Sequence, residues 1–253
     1  MTAPRVVAIV QHKGGSGKTT TAVNHAAALA ERGERVLLVD ADAQGSLTRW
    51  AGAAPSDALA ASAREGAPLA AGIVATRWPG VDVAPSSAAL DDAALASRPL
   101  ALTMLRSALA ALPLRWGWII VDTPPTAGRV GLAAILAARW AVVPVEASAP
   151  ALAGVPSVLS TLEDAGWMLP PAAALAGILV TRYDGRTIAG RLALEALRDA
   201  HGGAVLATTI RETVRHREAA ALGRTALEHD PAGTAAADYR AAALEIIGRI
   251  ERS

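Results

Sequence analysis

Cysteine and phenylalanine are absent from this 253-residue chain, aromatic residues make up 3% of it, and lysine occurs only twice among 24 basic residues. Without cysteine there is no disulfide scaffold, thiolate metal site, iron–sulfur cluster or cysteine nucleophile. Charge of one sign is also lacking. The formal net charge is +1 and the sequence pI about 8.3, so no global field draws nucleic acid, and any such binding needs a local patch. Long hydrophobic runs are missing too. The longest stretches without a charge, Ala147–Leu162 and Ala165–Thr181, each carry two prolines and fall short of the roughly 20 apolar residues of a membrane span. The N-terminal MTAPRVVAIV is too short in its apolar part for a signal peptide. The expectation is a soluble, cytoplasmic protein with no membrane partner.

What is present is 52% hydrophobic residues against 19% charged, a composition that excludes disorder and supports one domain over residues 1–253. Short Val, Ile and Leu runs alternate with Ala-rich stretches long enough for helices. The runs are Arg5–Val10, Arg35–Val39, Val81–Ala84, Trp118–Val121, Ala141–Val145, Gly177–Val180 and Ala204–Thr208. This alternation predicts an α/β fold, a doubly wound, mostly parallel sheet of seven strands with helices on both faces. Val6–Val10 and Val36–Val39 are apolar at every position, as strands buried on both faces require. Ala22, Val23, Ala26, Leu29 and Ala30 are spaced for one face of a helix over Thr19–Glu31, with Gly33 as its stop. Residues 51–76, rich in Ala, Gly, Pro and Ser, read as a loop or short-helix excursion.

Between the first strand and that helix lies Gln11-His12-Lys13-Gly14-Gly15-Ser16-Gly17-Lys18-Thr19-Thr20. The P-loop pattern places a glycine five residues before Gly17, where this chain has His12, so the strict pattern fails at one position. The remainder fits. Three glycines let successive backbone N–H groups turn toward phosphate oxygens, and the helix N-terminus adds its dipole. Lys18 is expected on the β- and γ-phosphates of ATP, and the Thr19 hydroxyl on Mg²⁺. Lys13 and Lys18 are the two lysines of the chain, and a compact ammonium is not interchangeable with a guanidinium.

Lys13-Gly-Gly-x-Gly-Lys18-Thr19-Thr20 resembles the deviant Walker A loop of the ParA/MinD family. That resemblance implies an ATP-dependent homodimer in which the extra lysine, Lys13 here, contacts nucleotide across the interface. Two apolar runs end in acid, Leu37-Leu38-Val39-Asp40-Ala41-Asp42-Ala43-Gln44-Gly45 and Trp118-Ile119-Ile120-Val121-Asp122-Thr123-Pro124-Pro125. In open α/β sheets ligands bind beyond the carboxyl ends of strands, so all three acids are expected to face the phosphate loop. Asp122 fits a Walker B carboxylate acting on Mg²⁺, through water because that ion keeps part of its hydration shell. Of Asp40 and Asp42, one supports the metal and the Walker threonine while the other orients the attacking water. By resemblance the water belongs to Asp42, the second acid of D-x-D-x-Q-G, which leaves Asp40 with the metal.

The resemblance extends through Gly177-Ile-Leu-Val-Thr181-Arg-Tyr183-Asp184-Gly-Arg186-Thr187, Val205–Ile210, Val214-Arg215, Glu218-Ala219, His229-Asp230-Pro231 and Tyr239. These track ParA proteins of the short, Soj-like type. The first strand starts near residue 5, so no N-terminal helix-turn-helix domain is expected. A nucleoid-associated partition ATPase is implied, whose dimer binds non-specific double-stranded DNA and is released when a ParB-type centromere-binding protein stimulates slow hydrolysis. From Arg182 to Arg224 eight arginines stand against five acids, a modest basic excess for phosphate contacts. Arg186 and Arg215 match basic positions that contact DNA in the family. There are departures. Arg211 and Thr213 occupy the Pro and Asn positions that contact adenine, Glu212 stands where an Arg is common, and Glu146 follows Pro144-Val145 where the family often has Gln.

Two other readings compete. A MinD-like or cargo-positioning ATPase calls for a basic amphipathic helix beyond the core, whereas this sequence ends at Ser253, just after the expected Leu244–Ile250 helix. A metabolic phosphoryl-transfer enzyme of the same superfamily draws no support from a chain without cysteine and with two tyrosines.

Overall fold

The computed structural model describes residues 3–91, 101–126 and 128–252. Among them are eight strands in one sheet: β1 Arg5–Ile9, β2 Val36–Asp40, β3 Val74–Ala75, β4 Val81–Ala84, β5 Trp118–Asp122, β6 Trp140–Glu146, β7 Ala174–Tyr183 and β8 Val205–Arg211. Their order is β3-β4-β2-β5-β1-β6-β7-β8. Every pairing is parallel except β3 with β4. The expected α/β, doubly wound fold is therefore the one observed, with one strand more than the seven read from the sequence. That strand, β3, is two exposed residues long and antiparallel at the sheet edge, too short for any periodicity to register.

Successive side chains of the central strands go to opposite faces. Val7, Ile9, Leu38, Trp118, Ile120 and Val142 pack with α1 (Lys18–Ala30) and the C-terminal helix Thr234–Ile250. Leu37, Val39, Ile119 and Val121 pack on the other face with helix Ala58–Glu65, helix Ala101–Ala110 and helix Arg129–Ala137. Farther along that second face, Val143, Val145, Ile178 and Val180 meet helix Val155–Met168 and helix Ile188–His201. Because both faces are covered, the strands need apolar residues at every position. All five residues of β2 and of β5 are buried.

Register places the chemistry. β1 lies between β5 and β6, and Ile9 pairs with Asp122. On the next strand Asp40 pairs with Asp122. The loop leaving β1 thus emerges beside both acid-ended strands. The excursion over 51–76 resolves into the helix Ala58–Glu65 and a 3-10 turn, Leu69–Gly72, anchored by buried Leu59, Ala60, Ala63 and Leu69.

Candidate nucleotide site

The loop from Gln11 to Gly17 turns on two glycines in the left-handed region, Gly15 at φ 75° and Gly17 at φ 90°. Side chains rarely adopt that conformation. Among the described residues Arg182 alone of the non-glycines has positive φ. His12 therefore has ordinary backbone geometry, and the glycine missing from the strict motif is not required there. Gly17 caps α1 without a side-chain hydrogen bond, and the first turn of α1 carries no acid. Its N–H groups and dipole are left for an external anion.

Below the loop, Lys18 is buried, and its ammonium donates to the Lys13 carbonyl at 3.2 Å. Burial holds its pKa below the ordinary lysine value, against the opposing pull of Asp122 and Asp42. The Thr19 hydroxyl donates to Asp122 Oδ2 at 2.7 Å. Asp122 is 1% exposed, and its other oxygen has no partner among the described residues. Burial pushes this carboxyl up to about 8, with Asp40 and Asp42 adding to the rise and the Thr19 bond and Lys18 opposing it. A buried, underbonded carboxylate oxygen beside a hydroxyl is a donor set suited to a hard divalent cation that keeps most of its waters and takes its other ligands from phosphate. The residues fit Mg²⁺.

Asp40, expected at the metal, is fully buried with its oxygens already bonded. Oδ2 accepts from the Thr48 hydroxyl at 2.6 Å and the Thr48 N–H at 2.8 Å, and Oδ1 accepts from the Asp42 N–H at 3.2 Å. It braces the loop that carries Asp42 onto the short helix Ser46–Trp50. Asp42 itself lines a cavity of about 260 Å³ together with Gly14, Gly15, Lys18, Thr19 and Thr20. The loop glycines, Lys18, Thr19, Thr20 and Asp42 are thus brought together as the sequence anticipated. Ser16 faces inward instead: its carbonyl accepts from the Thr181 hydroxyl at 2.9 Å, tying the loop to β7.

A second cavity of about 230 Å³ adjoins Gly15, Gly17 and Thr20 on the side of β8. Thr213 lines it. Arg211 does not. Strand alternation sends Ile210 and Glu212 toward this cavity and Arg211 the other way, where its guanidinium is held on Asp238 through Nε at 2.9 Å and a terminal nitrogen at 2.6 Å. The expectation that Arg211 contacts the base is corrected accordingly. Thr181, Arg182, Glu212, His216, Arg217 and Tyr239 also line this cavity. Several of them stand in the motif segments of the sequence, but only the β7 and β8 registers show that they meet the phosphate loop.

Lys13 is exposed on the loop, with its ammonium 3.7 Å from Glu146 Oε2 and the side chain 42% exposed. The two expected DNA contacts are exposed, and each has an acidic partner. Arg186 bonds Asp184 through Nε at 2.9 Å and a terminal nitrogen at 2.8 Å, and Arg215 reaches Glu218 at 2.8 Å and Asp230 at 3.9 Å. The Arg186 guanidinium holds the Asp184 carboxyl down to about 2.

A family model described as an AAA domain matches residues 4–167. The chain is 39% identical to the chromosome-partitioning ATPase Soj of Thermus thermophilus, over 98% of both chains. It is 33% identical to the chromosome partitioning protein ParA of Caulobacter vibrioides, covering 97% of this chain and 94% of that one. Among solved structures, cobyrinic acid a,c-diamide synthase from Mycobacterium smegmatis with bound ADP and magnesium superposes at a TM-score of 0.84. It is 31% identical, over 98% of this chain and 96% of that one.

Proposed function

Because the chain belongs to the ParA/Soj/MinD family of deviant-Walker-A P-loop ATPases, we propose that it is an ATP-dependent DNA-partition ATPase. In this reading ATP drives a homodimer that binds DNA without sequence preference, and a ParB-type partner stimulates hydrolysis and releases it. The observation that supports it is a second, exposed lysine, Lys13, on the same glycine loop as Lys18, which is buried and lines the cavity. In this reading Lys18 reaches its own phosphates and Lys13 those of a facing copy.

The chemistry is positioning and charge neutralisation. The loop N–H groups and Lys18 hold the phosphates, and Asp42, fixed by Asp40 and Thr48, orients the water. Lys13 of the facing copy offsets charge on the leaving oxygen. Thr19 and Asp122 would hold Mg²⁺, which when bound would supply charge neutralisation of the phosphates. Thr213 and the side chains of the second cavity receive the base. For DNA the reading uses Arg186 and Arg215, doubled in the dimer.

The test is retention on non-specific DNA with ATP against ADP. The proposal expects retention with ATP only, lost as salt rises from about 50 to 200 mM. Equal retention with both nucleotides contradicts it. The similarity to a solved diamide synthase favours a second reading, ATP used to activate a small carboxylic acid. Turnover stimulated by such an acid and indifferent to DNA would select it. Among the described residues no helix is long and apolar enough to cross a membrane. ATP-dependent flotation with liposomes would instead select a MinD-like role.

A further inference from the structure

We propose that Glu146 is a positioning residue for Lys13, holding the lysine on its own protomer until a second copy presents phosphates to it. The inference rests on the dimer reading above. Lys13 Nζ and Glu146 Oε2 are 3.7 Å apart, with side chains 42% and 26% exposed. A pair that exposed is worth little, which suits a contact that has to be given up.

Glu146 does not act alone. Its other oxygen lies 3.7 Å from Arg182, whose Nε donates to Glu212 at 3.0 Å, and Arg217 lies 3.5 Å from the second oxygen of Glu212. Charges therefore alternate along Lys13, Glu146, Arg182, Glu212 and Arg217, from the phosphate loop to the rim of the base cavity. Arg182, Glu212 and Arg217 all line that cavity beside Gly15 and Gly17.

Arg182 is the strained member, at φ 52°, a conformation side chains hold only where their surroundings impose it. The backbone on either side is pinned, with the Ala147 N–H on the Thr181 carbonyl at 3.1 Å and the Glu212 N–H on the Tyr183 carbonyl at 3.0 Å. That frame fixes Arg182 between the two acids. A nucleotide base entering the cavity meets Arg182, and its phosphates compete for Lys18, which otherwise donates to the Lys13 carbonyl. Occupancy of the protomer's own site thereby removes the backbone tie at Lys13 and leaves the Glu146 contact as what holds its side chain.

The experiment measures dimer formation by analytical ultracentrifugation across a series of AMPPNP–Mg²⁺ concentrations, for wild type, Glu146→Gln and Glu146→Ala. Both variants should reach half-maximal dimer at about two- to fivefold lower nucleotide concentration, the range a half-exposed ion pair supports. Monomer affinity for a fluorescent ADP analogue should stay within about twofold of wild type on the same grounds. A curve that coincides with wild type, or moves to higher concentration, overturns the role of Glu146 while leaving the dimer reading intact. A wild type that forms no dimer overturns both.

A spectroscopic arm reports on the lysine directly. Reductive ¹³C-methylation labels only Lys13, Lys18 and the chain's amino terminus, since the sequence holds no other lysine. Glu146→Gln should shift the Lys13 resonance, identified by its loss in Lys13→Ala, and leave that of Lys18 in place. An unmoved Lys13 signal contradicts the contact.

Discussion

Thr19 and Asp122, 103 positions apart in sequence, are joined by a 2.7 Å hydrogen bond between hydroxyl and carboxylate. The bond joins the first turn of α1 to the end of β5, and it leaves the second oxygen of Asp122 buried and without a partner among the described residues. Replacing Asp122 with Asn keeps the shape and removes the charge that fits the cation. The Mg²⁺-dependent ATPase rate should fall by about 10²-fold or more, while nucleotide binding without Mg²⁺ persists. Steady-state turnover and fluorescence titration with and without the metal check this.

Asp40 supports the prediction at one remove from the chemistry. Thr48 supplies two of its three hydrogen bonds. Thr48→Val removes the shorter of them and leaves the buried carboxylate short of a donor, at a cost of about 1–3 kcal/mol. Urea unfolding should register that loss, together with a slower ATPase rate as the Asp42 loop loses its brace. An unchanged urea midpoint would contradict the bracing role.

Asp42→Ala should separate binding from hydrolysis. Its carboxylate lines the phosphate cavity and accepts from the Gln44 N–H at 2.9 Å. Loss of a water-orienting group lowers the rate by about 10²- to 10⁴-fold, and gel filtration should show an ATP-locked dimer. A variant that turns over at the wild-type rate assigns the water elsewhere.

Arg211 and Arg186 make a contrasting pair. Arg211 is chelated by Asp238, which is itself 8% exposed, so Arg211→Ala strands a nearly buried carboxylate and should cost about 1–3 kcal/mol. Arg186 is 90% exposed. Arg186→Ala should leave the unfolding midpoint in place and weaken DNA retention. Chemical unfolding and DNA pull-down, run on both variants, distinguish a structural arginine from a contact arginine.

The pH dependence of stability has one clear contributor inside the core. His25 on α1 is fully buried, edge-on to the Trp118 ring at 6.4 Å, with neither ring nitrogen partnered among the described residues. Burial pushes its pKa down to about 4. The unfolded chain takes up this proton near pH 6.5 and the folded chain only near 4, so stability from this group is present above 6.5 and is lost as pH falls between those values, by roughly 3 kcal/mol in all. Asp122, pushed up to about 8, acts in the opposite sense over the same interval. The informative comparison is therefore wild type against His25→Leu, whose urea midpoint should fall less between pH 7 and pH 4.5.

Much of this was legible in the sequence because the signals are local. Strands buried on both faces must be apolar throughout, and Val36–Val39 and Trp118–Val121 are. A phosphate loop needs glycines and lysine at fixed offsets, and Gly14 to Thr20 supply them. The rest depends on what strand register brings together. Arg211 and Thr213 read alike as neighbours of a base, yet alternation along β8 sends Arg211 to Asp238. Arg182 gave no sign in the sequence of its left-handed backbone or of its place between Glu146 and Glu212. Asp184 lies two residues from Arg186, but only the folded loop aims it at the guanidinium, whereas Glu218 meets Arg215 one turn along the helix Arg215–Ala221 and Asp230 reaches it only through the fold.

The central claim is that Lys13 acts on nucleotide bound by a second copy. The most direct measurement is sedimentation of wild type and Lys13→Ala with ATP and Mg²⁺, alongside nucleotide affinity of each monomer. The account predicts an ATP-dependent dimer for wild type and none for the variant, with monomer affinity retained and hydrolysis abolished. A Lys13→Ala protein that dimerises and hydrolyses ATP like wild type would contradict it.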